Sequence, residues 1–576
     1  MTTPSGGMRP AAYWNIEITG GWMYLLPPLA ERRVLCISSM RPSQSASQSP
    51  LYGELTLLYD SQLDGIPSEQ DLANSGATGL RWRSIDSLFG GAVSEQQRFD
   101  GLVIHDPEGA IVHGGNLPRI LQVLRHIPSL LGPGAFVYVG VPNPRSLPSV
   151  IASVTRRGKT PGRRQVPIPA LVQALGSAGF ADIRIHPYLT WGSKLAEVIP
   201  PRGYLASKNC ERPAERVKEL VYGRIGSRRL APAYGILAYA EHAARSTLDV
   251  LFEHIAGASY YQGSATPVLK NYLLFPGSKA IVTCGPEGQD DCDLVAVLTA
   301  DALAIERRNI EVAVLSELAN LPKRLAHAIP RPLAQIAIGK TRCYLLNRLP
   351  GVTLDIESAA LDQVTDQALE FVIDLHRAST QQVATDESNY RKLFWSLVEA
   401  AQSRIPAMAA GLQSWDVPLR ACVMGTLLPS VWMHGDYKVE NVMYDRVPRK
   451  LTGVIDWELA RGPGLPLLDP LYLLIYNRQI RGEEHFQSIE SILWPGRRND
   501  LELAQLRRYV EGVRVPEKLV PALCAMFFAH HIGCRLHIRA DSTALEQLRI
   551  FIPRIRQMLE QSAAQSHSIA SESRPT

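Results

Sequence analysis

The chain is short of every feature that would settle its class at a glance. Its eight cysteines are scattered at positions 36, 210, 284, 292, 343, 422, 524 and 534 with no C-x-x-C pair. That spacing argues against a disulfide framework and against a structural zinc site. No apolar run approaches the roughly 18–20 residues that span a bilayer. The stretch from Gly21 to Pro28 is short and ends in two prolines. The N-terminus has no basic segment followed by an apolar core and a small-residue cleavage site, so the expectation is a soluble, cytoplasmic protein with reduced thiols and no membrane span. Charge of one sign is also scarce. Sixty Lys and Arg stand against 55 Asp and Glu, a net charge of +5, too little over this length to imply a nucleic-acid partner. No internal repeat is visible.

What is present is ordinary globular composition, 46% hydrophobic and 20% charged, in a chain of 576 residues. At roughly 100–200 residues per domain, two to four domains are expected. The first 245 residues alternate between strand-like and helix-like segments. Val34–Ile37, Leu55–Tyr59, Leu102–Ile104 and Ala135–Val141 are apolar runs of strand length. Leu117, Ile120, Leu121, Leu124, Ile127 and Leu131 recur at helical spacing. Strands separated by helices imply a parallel sheet with crossovers. Arg156, Arg157, Lys159, Arg163 and Arg164 form a basic loop, read as a solvated loop, with an anion contact as the alternative. A second block runs from about 255 to 560. It opens with strands at 272–275, 280–283 and 294–298, then a helix Ala302–Leu318, then a hairpin of Ile336–Ile338 with Tyr344–Leu346 turning at Gly339-Lys340. Beyond 355 the pattern is mostly helical, and the Ser- and Ala-rich segment 562–576 is expected to be disordered.

The chemistry concentrates in Val431-Trp-Met-His-Gly-Asp-Tyr-Lys-Val-Glu-Asn-Val-Met-Tyr444 and in Gly453-Val-Ile-Asp-Trp-Glu458. Phosphoryl transfer to a hydroxyl asks little covalent work of a protein. It needs the acceptor positioned, its proton taken or oriented, and Mg²⁺ held on the phosphates. A carboxylate after a strand can face the hydroxyl, an amide oxygen five residues later can reach a metal, and a second carboxylate at the end of the next hairpin can hold the same ion. Mg²⁺ accepts few carboxylates beside phosphate oxygens.

These segments resemble the aminoglycoside phosphotransferase/choline kinase family, in which the loop reads H-G-D-x-x-x-x-N and the metal-binding strand I-D-W-E or similar. The resemblance implies a protein-kinase-like, bilobal α+β fold and transfer of the ATP γ-phosphate to a small-molecule hydroxyl, on a sugar-like metabolite or an aminoglycoside-like compound. It implies Asp436 as catalytic base, Asn441 and Asp456 as Mg²⁺ ligands, and His434, Gly435, Lys438 and Glu458 as residues shaping the loops. Gly462-Pro-Gly464 followed by Leu468-Asp-Pro470 is similar to the next segment of the family, with Asp469 structural. Glu311, in the helix Ala302–Leu318, matches the glutamate that pairs with a strand lysine. Ala296 stands where that lysine is expected, so Lys279 on the preceding strand, or Lys340, is the candidate for the phosphate contact. Phe275-Pro-Gly-Ser278 is the candidate phosphate-covering turn. Tyr344–Gly351, with Leu346, resembles the hinge whose backbone meets adenine.

The first 245 residues resemble class I S-adenosylmethionine-dependent methyltransferases. The resemblance rests on Phe99–Asp106, on Leu130-Leu-Gly-Pro-Gly-Ala-Phe-Val137, on Ala174–Phe180 and on Ala233–Tyr239. It implies a Rossmann-like α/β domain with Ala233–Tyr239 as seventh strand. The first βα turn, Val34–Pro42, has neither glycine nor acid, so bound S-adenosylmethionine is not expected. Asp60 and Asp86 are read chiefly as cap or turn residues. His530, His531 and Cys534 fall in a helix, where adjacent residues point about 100° apart, and are read as packing rather than ligation. The segment 479–498 mixes charges and is not acidic, which weakens a polycationic acceptor. The expected organisation is 1–245 methyltransferase-like, 246–354 linker and kinase-like N-lobe, 355–561 helical C-lobe and 562–576 tail. The competing expectations are a non-catalytic nucleotide-binding scaffold and a bifunctional methyltransferase–kinase. A protein kinase fits less well, because no D-F-G or A-P-E phrase is present.

Overall fold

The structure is a computed structural model. It describes residues 21–28, 32–38, 54–59, 80–84, 98–105, 124, 130–143, 168–190, 196–198, 231–241, 245–259, 261, 267–275, 279–286, 294–353, 361–445, 450–535 and 542–572. The loop 156–164, Asp60, Asp86, most of the 117–131 stripe, the turn residues 39–42 and Pro276–Ser278 lie outside them. Two compact units emerge, one of residues 1–306 with 332–348, the other of 307–331 with 349–576.

Among the described residues the first unit is built on one sheet of thirteen strands. In chain order they are β1 (Arg33–Ser38), β2 (Glu54–Tyr59), β3 (Leu80–Ser84), β4 (Phe99–His105), β5 (Leu131–Pro142), β6 (Asp182–Thr190), β7 (Ala196–Val198), β8 (Ala233–Tyr239), β9 (Val268–Leu274), β10 (Ala280–Gly285), β11 (Leu294–Thr299), β12 (Pro332–Ile338) and β13 (Thr341–Asn347). Strands β3-β2-β1-β4-β5 are parallel neighbours. β8 lies antiparallel between β5 and β6. This is the doubly wound arrangement that the methyltransferase resemblance implied, with Ala233–Tyr239 as the reversed strand.

The period-two alternation of strand side chains splits the central strands between two cores. Leu35, Ile37, Leu102, Ile104, Val137 and Val139 meet Leu171 and Leu175 of helix α1 (Ile168–Ser177) on one face. Val34, Cys36, Val103, Phe136 and Tyr138 face the other way. Burial on both sides is why these strands read as continuous apolar runs rather than as alternation.

The second face does not stop at residue 245. It continues through Tyr188, Val198, Tyr272, Val282, Ala296 and Leu345. It is covered by Leu248, Leu251 and Ile255 of helix α2 (Thr247–Ala256) and by Met23–Leu26. The suture is β7, which pairs antiparallel with β6 on one side and with β9 on the other. Three residues carry too little pattern to be legible in sequence. Helix α2 starts with a reciprocal cap. The Asp249 N–H donates to Ser246 Oγ at 3.0 Å and the Ser246 N–H to Asp249 Oδ2 at 2.9 Å. The Thr247 N–H donates to Leu26 O at 2.8 Å. The hairpin β12–β13 turns at Gly339-Lys340 as read, with Gly339 at φ +57°.

The second unit holds two small sheets. One has β14 (Val352–Thr353), β17 (Val442–Tyr444) and β18 (Leu451–Val454) in the order β14-β17-β18. The other has β15 (Gln381–Ala384), β16 (Leu427–Met433) and β19 (Arg461–Gly464) in the order β15-β16-β19. Around them pack helices α4 (Leu361–Ser379), α5 (Ser396–Arg404), α6 (Leu468–Ile480), α7 (Asp500–Val513), α8 (Val520–Arg535) and α9 (Ser542–Glu572), with α3 (Ala302–Leu318) running across the division between units. Leu361, Val364, Ala368, Val372 and Leu375 of α4 are buried at three- to four-residue spacing, the mark of an amphipathic helix. In α8, every residue from Ala522 to Ala529 is buried. That helix takes His530 and His531 into the interior, where Tyr472 Oη lies 3.0 Å from His530 Nδ1 and His485 Nε2 lies 3.0 Å from His531 Nε2.

The segment from 562, expected to be disordered, continues α9 as far as Glu572. Ser562 and Ala563 are buried, and the Ala-rich run propagates a helix already anchored by tertiary contacts. No helix among the described residues is long and apolar enough to cross a membrane.

Gly101 pairs with Phe136 across β4 and β5, and a Cβ at this position would enter the Phe136 ring. Gly101→Ala is therefore expected to lower stability by roughly 1–3 kcal/mol, seen as a shift of the urea midpoint at unchanged slope. An unchanged midpoint would show that the sheet is not close-packed there.

Candidate active site

The site grows from the end of β16, which delivers His434-Gly435-Asp436. Helix α6 fixes this corner through one fully buried carboxylate. Asp469 Oδ2 accepts the His434 N–H at 2.7 Å and Oδ1 accepts the Gly435 N–H at 2.9 Å. Asp469 Oδ2 also lies 3.3 Å from His376 Nε2, whose Nδ1 is 2.6 Å from Tyr509 Oη. Burial alone would raise the Asp469 carboxyl, but the His376 contact and the His434 amide outweigh it and hold the group below its ordinary range. Gly435 sits at φ +80°, and a Cβ there would strike the Leu459 carbonyl. Glycine is required at this turn on both counts.

The buried His434 ring ties the loop to the next hairpin. The Asp436 N–H donates to His434 Nδ1 at 3.2 Å, so Nδ1 is the acceptor and Nε2 carries the proton, donated to Ile455 O at 2.9 Å. The ring packs 4.7 Å from that of Trp457. Asn441 closes the loop from below. Its Nδ2 donates to Asp436 O at 2.9 Å, and its own carbonyl accepts the Ile455 N–H at 2.9 Å. The amide orientation is thereby set, with Oδ1 as the end able to serve a cation. Lys438 Nζ lies 3.7 Å from Asp436 Oδ2, 3.2 Å from Glu440 Oε2 and 5.2 Å from the centre of the Tyr476 ring.

Asp456 follows β18 at φ +67°, a left-handed conformation in which Asp is several-fold enriched among non-glycine residues. Such strain persists where the surroundings over-determine it, and here they do. The Trp457 N–H donates to Glu311 Oε1 at 3.0 Å, and the Trp457 indole N–H to Val454 O at 2.9 Å. Arg308, one turn before Glu311 on α3, bonds Glu311, donates to Glu458 Oε2 at 2.9 Å and comes within 3.7 Å of Asp456 Oδ1. The Arg308 and Glu311 side chains are 6% and 5% exposed, against 34% for Asp456 and 28% for Glu458. Burial pushes the Glu311 carboxyl up, opposed by Arg308. Burial works against the Arg308 charge, but Glu311, Glu458 and Asp456 together more than restore it.

These contacts link Asp436, Asn441, His434, Lys438, Glu311, Asp456 and Glu458 into one network in the second unit. Glu311 was read as the match to a glutamate whose lysine partner is replaced here by Ala296. Its carboxylate is divided between Arg308 and the Trp457 amide. Ala296 is buried in β11 opposite Val282 and Leu345. Lys279 and Leu346 belong to the first unit. Lys279 O accepts the Phe275 N–H at 3.0 Å and its Nζ lies 5.3 Å from the Phe275 ring centre. Leu346 is buried in β13 opposite Val295. Arg308 was not singled out from the sequence. The available signal was an arginine three residues before Glu311, on the same helical face, in a chain lacking the strand lysine.

Residues 288–491 match the model of the phosphotransferase enzyme family, APH. That match covers about a third of the chain and contains every residue of the network, and this region has the kinase-like fold of that family. No curated protein matches the chain. Among solved structures, the chain is similar to aminoglycoside phosphotransferase APH(3'')-Id from Streptomyces rimosus ATCC10970, with 14% identity, 44% of this chain and 89% of that one covered, and a TM-score of 0.30. It is similar to a SAM-dependent methyltransferase from Archaeoglobus fulgidus, with 20% identity, 36% and 86% covered, and a TM-score of 0.23. It is also similar to WbdD, solved with the kinase inhibitor LY294002, with 11% identity, 84% and 85% covered, and a TM-score of 0.25. At these identities and TM-scores the likenesses carry no weight for function.

Because the folded-state Asp469 carboxyl is held below its unfolded value, its stabilisation is present above the ordinary carboxylate range and is lost as pH falls through the depressed value. Asp469→Ala removes a buried acceptor from two amides and is expected to cost roughly 3–5 kcal/mol near neutral pH. The cost should shrink on acidification, measured as denaturant midpoints at pH 7 and below 4. A pH-independent difference would contradict this assignment.

Proposed function

We propose that the C-terminal region transfers the γ-phosphate of ATP to a hydroxyl of a small molecule, sugar-like or aminoglycoside-like. The observation that carries this reading is the double tie at Ile455. Its carbonyl accepts from His434 and its N–H donates to Asn441 O, so the loop bearing Asp436 and Asn441 and the segment bearing Asp456 are held in one frame. The family match over 288–491 supports it.

Asp436 accepts the hydroxyl proton as the acceptor oxygen attacks phosphorus, and ADP leaves with the bond electrons. Asn441 Oδ1 and the Asp456 carboxylate are the residues that would hold Mg²⁺. Both are hard oxygen donors, and among the described residues no group of three His, Cys, Asp or Glu is arranged to hold a metal alone. So sparse a set suits an ion that keeps phosphate and water oxygens in its shell. When bound, the ion neutralises charge on the phosphates. His434 and Gly435 fix the loop, Lys438 balances Asp436 and Glu440, and Glu458 is held by Arg308. The N-terminal region, taken as 1–245, is an accessory domain in a cytoplasmic protein.

A second reading, a non-catalytic nucleotide-binding scaffold, is favoured by the buried Ala296. The two readings separate on nucleotide-induced thermal stabilisation combined with ADP release over a panel of sugars and amino sugars. The expected outcome is stabilisation by Mg·ATP that falls sharply in Asp456→Asn. Asp436→Asn should retain the stabilisation while turnover drops by about 10²–10⁴-fold. Stabilisation without turnover across the panel would favour the scaffold, and no stabilisation would sink both.

A further inference from the structure

We propose that Arg308 supplies the phosphate-facing cation that this chain lacks at Ala296, binding the nucleotide phosphates beside Asp456. The inference rests on the phosphotransferase reading and adds to it a residue that the family motifs do not mark.

Three observations carry it. First, Arg308 approaches three carboxylates, those of Glu311, Glu458 and Asp456. A nucleotide triphosphate brings further negative charge to this already anionic corner, so a cation besides the metal is needed for it to stay. Second, the guanidinium is 6% exposed while Asp456 is 34% exposed. The positive charge therefore sits where water screens it least, within 3.7 Å of the carboxylate that would hold the metal. Third, its bonds are unequal. Arg308 is locked to Glu311 and to Glu458 at 2.9 Å, but stands 3.7 Å from Asp456, beyond a hydrogen bond. When a metal ion takes Asp456, Arg308 loses its loosest partner and keeps the two that aim it. A planar guanidinium with five donors can hold two carboxylates and still address phosphate oxygens. Helix α3 does both halves of the task, since Glu311 anchors the Trp457 amide while Arg308 carries the charge.

The test measures dissociation constants of Mg·ATP, Mg·ADP and adenosine for the full-length protein, for Arg308→Gln and for Arg308→Lys. Arg308→Gln should weaken Mg·ATP binding about tenfold or more, the loss expected for a charge-assisted hydrogen bond, while adenosine binding stays within about twofold. Arg308→Lys should recover part of the loss. If Arg308→Gln fails to fold, Arg308→Lys decides alone. Its shorter, non-planar head should bind Mg·ATP severalfold more weakly than wild type, with adenosine unchanged. Equal or tighter Mg·ATP binding in the variants overturns the proposal, as does a parallel loss of all three ligands, which marks a purely structural arginine. Failure of the wild-type protein to bind Mg·ATP overturns the phosphotransferase reading itself.

Discussion

The architecture of the site depends on one kind of interaction used twice, a buried carboxylate accepting main-chain N–H groups of a loop that bears chemistry. Asp469 takes the amides of His434 and Gly435, and Glu311 takes the amide of Trp457. Amides at such corners have no strand or helix partner and would be costly if left buried and unpaired. A carboxylate satisfies them from a rigid helix, α6 in one case and α3 in the other. Between these anchors His434 and Asn441 bind Ile455 from both sides. A left-handed aspartate and a left-handed glycine are tolerated because the surroundings leave no alternative.

The phosphate contact proposed for Arg308 draws on the same design. Ala296 is enclosed in the β-sheet core, where a lysine would have to bury an ammonium group. Glu311 takes its positive partner from its own helix, Arg308 three residues before it. The same helix anchors the Trp457 amide through Glu311 and brings the Arg308 charge to Glu458 and Asp456, so a change in α3 reaches both contacts at once.

Most of the residues that the structure links in the second unit were named from the sequence. His434, Gly435, Asp436, Asn441 and Asp456 stand out because their spacing matches a chemical requirement and a family's motifs, and Glu311 because it matches the glutamate of that family's helix. Arg308 was hidden because an arginine on a helix is ordinarily a solvated residue, and only the tertiary fold places it among three carboxylates. The long apolar strands were readable as continuous apolar runs, and the β12–β13 hairpin from its turn residues. The joining of the two sets of strands into one sheet was not, because it depends on Ala196–Val198, too short to leave a pattern. Ser- and Ala-rich sequence such as that from 562 is compatible with both disorder and helix, and the helix that reaches Glu572 buries Ala563.

The claim that carboxylate anchors hold the two loops is tested most directly by amide hydrogen exchange across residues 431–444 and 454–460. The measurement compares wild type, Asp469→Ala and Glu311→Ala under native conditions. The account predicts slow exchange at His434, Gly435 and Trp457 in the wild type. Exchange should be accelerated at the first two only by Asp469→Ala and at the third only by Glu311→Ala. Exchange that is fast in the wild type, or unchanged in both variants, would contradict it.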